Sequence, residues 1–218
     1  MNREARYQEW LEALFDQDEA YGEWLTDKNE KLSGYDQAEV VEQFTLLCKN
    51  FEKDAAQYSN WQLSMGITYL LDGVFSDYPF ALRDRPISIK ARVAAIESIK
   101  QLYVQCFNKR CNTTLSHQAV SENPLNSICY KLWSATPLTY MRKHPDKEVL
   151  SINFCEVMEY CATLSNPACV ESGIRGLSKL SRYFPIAKER LQAIIDSETL
   201  TNKSLRDYAE FAVTQPYH

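Results

Sequence analysis

An all-α fold is what the sequence predicts: one domain over residues 1–218, built as a stack of about eight or nine antiparallel helices. Three observations carry that expectation. Apolar residues recur with a helical period along most of the chain and do not alternate. The stretch from Val149 to Leu200 reads as three helices with almost no loop between them. Finally, the helix starts at Asn123-Pro124 and Asn166-Pro167 lie 43 residues apart, inside the roughly 40–47-residue spacing of HEAT and armadillo repeats. A HEAT-like helical repeat is the architecture these signals describe.

The elements follow in order. The first helix is expected from Arg3 to about Gln17, with Tyr7, Leu11 and Leu14 inward and a run of acids outward. Residues 26–35 read as a loop, and Asp36 caps a second helix bearing Val40, Phe44, Leu47 and Phe51. Ser59 caps a third, read as far as about Ser76, whose apolar arc is broken by the polar line Thr68, Asp72 and Ser76. After a loop over 77–86, Ser88 caps a fourth helix that runs to about Asn108. Residues 109–122 are polar and irregular, and Asn123 then opens a helix closed by Pro137.

Within the Val149–Leu200 stretch, Leu150, Phe154, Val157, Cys161 and Leu164 share one face of the first helix. Asn166 caps the second, which carries Val170, Ile174, Leu177 and Phe184 beside a row of small residues, Cys169, Gly173 and Gly176. That row suits a close helix–helix approach, either inside the fold or in a homodimer. Pro185 opens the third helix, and a short one around Leu205, Tyr208, Ala209 and Ala212 ends the chain.

Composition narrows the classes. Six glycines and 45% hydrophobic residues argue against a β-sandwich and against disorder. No apolar run approaches the roughly 18 residues of a membrane span, and the charged start MNREARYQEW is unlike a signal peptide, so a cytoplasmic protein is expected. Seven cysteines, among them Cys48, Cys106, Cys155 and Cys161 on apolar faces, read as reduced core thiols. Residues 1–60 hold 14 acidic and 6 basic side chains, a net of −8, while the rest of the chain nets +3. Such an end attracts a basic protein, or is simply a solvated helical surface.

The search for chemistry finds little. His117, His144 and His218 are the three histidines, and none has the setting of a catalytic base. Cys106, Cys111 and His117 are spaced unlike a metal site, and neither GxGxxG nor a P-loop is present, so no metal or cofactor is expected. Asp72, among Leu70, Leu71 and Val74, is read as a structural buried acid paired with Arg83, Arg85 or Arg92. Tyr78, Phe80, Arg83 and Arg85 have the make-up of a binding hot spot; alternatively, Tyr78 and Phe80 complete the core. Basic residues are dispersed and the pI is about 5.3, which speaks against nucleic-acid binding.

The segments WQLSMGITYLLDGVFSDYPFAL, ENPLNSICYKLWSATPL and ACVESGIRGLSKLSRYFP, with LRDYAEFA, resemble small bacterial all-helical proteins that serve as immunity partners of polymorphic or contact-delivered toxins. That resemblance implies a non-enzymatic protein that binds and neutralises a cognate toxin. The histidines associated with the second helix of the Val149–Leu200 stretch in that group are missing from IRGLSKLSRYFP. Asp16, Asp18, Glu19 and Glu23 are the expected steering acids, with Tyr78, Phe80, Arg83 and Arg85 as anchors. A generic helical-repeat adaptor is the alternative, and a HEAT-like DNA glycosylase or lyase a more distant one.

Overall fold

The computed structural model describes residues 2–18, 32, 34–197 and 200–215. Among them all regular structure is helical, and no helix is long and apolar enough to cross a membrane. Ten helices appear in order: α1 (Arg3–Phe15), α2 (Gln37–Ala55), α3 (Asn60–Leu71), the short α4 (Tyr78–Ala81), α5 (Ile89–Leu102), α6 (Pro124–Ala135), α7 (Lys147–Cys161), α8 (Pro167–Ser181), α9 (Pro185–Asp196) and α10 (Lys203–Thr214).

Local chemistry sets most of these starts. Asp36 and Glu39 form a reciprocal capping box at α2, as Ser59 and Gln62 do at α3. The two repeat-like starts behave alike. Asn123 Oδ1 accepts from Leu125 N and Asn166 Oδ1 from Ala168 N, each with a proline in the first turn. Their amide nitrogens then donate to adjacent carbonyls, Asn123 to Arg110 O at 2.6 Å and Asn166 to Cys111 O at 2.8 Å. The ends of α6 and α8 are thereby fastened to one point of the chain.

That hub matters because α8 is the central rod. It packs against α6, α7, α9 and α10, and on it Ala168 to Gly176 are buried without a break except at Arg175. Gly173 and Gly176 face inward. A Cβ on Gly173 would lie 2.4 Å from Met158 O, and one on Gly176 would lie 2.8 Å from both Met158 Sδ and Trp133 Cδ1. The small-residue row is therefore the α7–α8 seam. The buried hydrophobic residues form one cluster from Tyr7 to Ala212, and all seven cysteines are buried free thiols. Burial pushes those of Cys48 and Cys155 up to about 12.

Two helices depart from regularity at the same place. After Leu102, α5 widens into a π-type turn over Tyr103–Phe107 and runs on to Arg110. Opposite it, α2 kinks at Asn50, whose φ is −114° and ψ 18°. The Gln105 side chain fills the break, donating to Lys49 O at 2.8 Å and accepting from Glu52 N at 2.9 Å.

The third helix ends earlier than its apolar pattern suggested. It stops at Leu71, and Asp72 turns extended, with φ −98° and ψ 116°. Its Oδ1 accepts from Val74 N at 2.9 Å, a local bond that competes with the helix ladder. Thr68 bonds back to Ser64 O and Ser76 to Tyr69 O, so the polar line serves the helix end.

Candidate functional site

The outward face of α1 is fixed by its inward one. Tyr7, Trp10, Leu11, Leu14 and Phe15 are buried, which leaves Glu9, Glu12 and Asp16 together on the exposed side at i, i+3 and i+7. With Ala13 and Tyr35 they line a depression of about 380 Å³. None of the three carboxylates makes an ion pair among the described residues.

A neighbouring cation lies within electrostatic reach of Glu9 but makes its hydrogen bonds elsewhere. Arg6 bonds Glu39 through two nitrogens, at 2.7 and 3.0 Å, and Gly34 O at 2.8 Å. The same guanidinium lies 4.5 Å over the Tyr35 ring, and the Tyr35 hydroxyl donates to Arg6 O at 3.3 Å. The hydrogen bonds from Arg6 hold the Glu39 carboxyl below its ordinary range, while burial pushes the Tyr35 phenol up. Arg6 thus fixes the aromatic wall and spends its charge on Glu39. What remains in the depression is negative potential beside a held ring.

Of the expected steering acids, Asp16 lines this depression and Asp18 is exposed beyond the end of α1; Glu19 and Glu23 lie outside the described residues. Glu9 and Glu12 complete the acidic set.

The 78–85 segment is used differently. The Tyr78 hydroxyl donates to Leu32 O at 3.0 Å, and its ring packs edge-on against Tyr69 at 5.4 Å. Burial pushes its phenol up. Phe80 is half-buried beneath Arg83, whose guanidinium sits 5.0 Å from the ring and bonds Asp84 at 3.1 Å. Tyr78 is a brace packed against the core, and Arg85 is the one of the four that is exposed. None of the four lines the acidic depression, although Tyr78 reaches the backbone three residues before Tyr35.

The ion pair expected at Asp72 is not formed: Arg83 bonds Asp84, Arg92 is engaged elsewhere, and Arg85 is exposed. Arg92, only 2% exposed, donates to Ile87 O, to Arg83 O and to Asp146 Oδ2 at 2.7 Å. That hydrogen bond holds the Asp146 carboxyl below its usual range. His144 accepts from Asp146 N through Nδ1, and burial keeps its imidazole below the ordinary value. A lowered folded pKa stabilises the protein above the unfolded value of about 3.9 and loses that contribution as pH falls through the folded value. The urea midpoint should therefore fall more steeply below about pH 4 in the native chain than in Asp146→Asn, as measured by circular dichroism.

Among the described residues the buried acid is Glu171, 0% exposed. Its carboxylate accepts from Ser116 N and His117 N, both at 2.8 Å, and meets His117 Nδ1 at 2.5 Å. The imidazole stacks on Tyr208 at 4.3 Å. One carboxylate thus ties the irregular 109–122 segment to α8, with α10 against the ring. A sequence signal existed: Glu171 falls between Ala168 and Ile174 at i±3, on the inward arc of α8. Arg92 carried a similar one, three residues before Ala95 and four before Ile96, both buried.

Set against protein-family models, curated proteins and solved structures, the chain matches none of them.

Proposed function

We propose that this chain is a protein-binding module whose partner is a basic protein. Following the resemblance of its helical segments to immunity proteins, the partner is a toxin that it neutralises by occupancy. The observation that supports this reading is the α1 depression. Glu9, Glu12 and Asp16 are brought together there, none of them in an ion pair among the described residues, beside a tyrosine ring fixed by Arg6. A concave acidic surface raises the encounter rate of a basic partner, and the adjacent ring gives it a place to bury an apolar or guanidinium group. The rods beneath are rigid and capped, so little ordering accompanies binding.

The test begins by recovering the partner from the native cell and asking whether expression of this chain protects against it. Association is then timed by stopped flow at about 50 and 500 mM salt, a range over which screening collapses a steering field. The rate should fall at least about tenfold, and Glu9→Lys/Glu12→Lys/Asp16→Lys should lower the low-salt rate by a similar factor. A salt-independent rate would overturn the steering role of α1. Protection that survives the triple variant at unchanged affinity would place the interface elsewhere.

A further inference from the structure

From Pro124 to Lys147 the chain carries four cations, Lys131, Arg142, Lys143 and Lys147, and a single carboxylate, Asp146. Asp146 is taken by Arg92, and none of the four cations makes an ion pair among the described residues. Arg142 and Lys143 are exposed on the connection from α6 to α7, and Lys147 is exposed where α7 begins.

An aromatic ring stands beside them. Tyr140 is 62% exposed, yet Lys179 Nζ lies 4.5 Å over its ring and donates to its hydroxyl at 3.2 Å and to Ser134 O at 3.1 Å. A tyrosine fixed in advance loses little freedom when it is covered, which suits a contact residue.

This connection has the build of the α1 depression with the opposite charge. There a ring held under Arg6 adjoins three carboxylates; here a ring held under Lys179 adjoins unpaired cations. The two do not satisfy each other within one chain, since no residue of the connection lines the depression. Between copies they can meet. A surface and its complement at different places on one molecule make a head-to-tail contact.

We propose that the chain associates with a second copy of itself head to tail, the Tyr140–Lys143 segment of one copy covering the α1 depression of the next. The proposal rests on the attraction of that depression for cations, and needs no toxin. Exposed ion pairs contribute little singly, so the contact is weak. It covers the depression until a basic partner displaces it.

The test is sedimentation equilibrium of the full chain at about 10–500 µM, the range for a weak contact. In about 50 mM salt the average mass should rise with concentration above the 25.2 kDa of one chain. In about 500 mM salt the association constant should drop at least about tenfold. Arg142→Gln/Lys143→Gln should stay monomeric, and so should Glu9→Gln/Glu12→Gln/Asp16→Asn; every altered side chain is exposed, so the fold is kept. Mixed in equal amounts, the two variants offer one intact connection and one intact depression. They should form a dimer and nothing larger, as only a head-to-tail contact does. A mass independent of concentration in low salt would overturn the association. Association that survives both variants, or a mixture that stays monomeric, would overturn the contact described. Neither result bears on the basic partner, whose association is timed separately.

Discussion

Replacing Glu171 by alanine should cost about 3–5 kcal/mol, since it leaves two backbone donors unpaired at about 1–3 kcal/mol each and opens a cavity beside them. The carboxylate is wholly buried and is the acceptor for Ser116 N, His117 N and the His117 ring. Its loss strands two backbone donors in the interior, and each such donor is costly when unpaired. Urea unfolding gives the magnitude. Amide exchange gives the location: protection at Ser116 and His117 should vanish while the amides of α2 and α5 stay protected. His117→Ala removes only the ring contact and should be milder. If Glu171→Ala left the midpoint within about 0.5 kcal/mol, typical of a surface change, the carboxylate would not be the fastening described.

Gly173→Ala should be the next most damaging single change, against the usual preference of helices for alanine. In an open helix the exchange gains roughly 1 kcal/mol. Here the new methyl would stand 2.4 Å from Met158 O and 3.0 Å from Ala162 N, both backbone atoms that a rotamer change cannot move. Overpacking of this kind costs typically about 1–3 kcal/mol, more when backbone must shift. A net loss of about 2 kcal/mol is expected, read as a lowered urea midpoint at unchanged m-value. Gly34→Ala is the control, since nothing lies within 4 Å of its added carbon. It should be neutral or slightly stabilising.

What could be read in advance from the chain follows the range of the interactions involved. Asp36, Ser59, Ser88, Asn123 and Asn166 cap the helices assigned to them, because a cap acts on backbone two or three residues away. Val40, Phe44, Leu47 and Phe51 are buried, since periodicity is also local. The end of α3 was missed by about five residues, as Asp72 and Ser76 bond to nearby backbone instead of continuing the ladder. For contacts across more than 50 residues the sequence could place a polar residue on an inward arc but could not name its partner: Glu171 with His117, Arg92 with Asp146, and Gln105 with the break in α2. The acidity of α1 was plain from composition. That Tyr35 would close its depression was not, because only the fold brings Arg6 over that ring. Tyr78 shows the converse case: its residue type suits a contact surface, and only its position shows that it turns inward.

Gln105 joins the bend at Asn50 to the widened turn of its own helix. Two defects that would each weaken a lone rod are made complementary, one supplying the gap and the other the plug. The pair therefore carries a fixed phase: a residue added to or deleted from either rod would shift the plug off the gap by about 100° of helical rotation. Length changes in relatives of this design belong in the connections, and the count of residues within this pair should be as invariant as a screw thread.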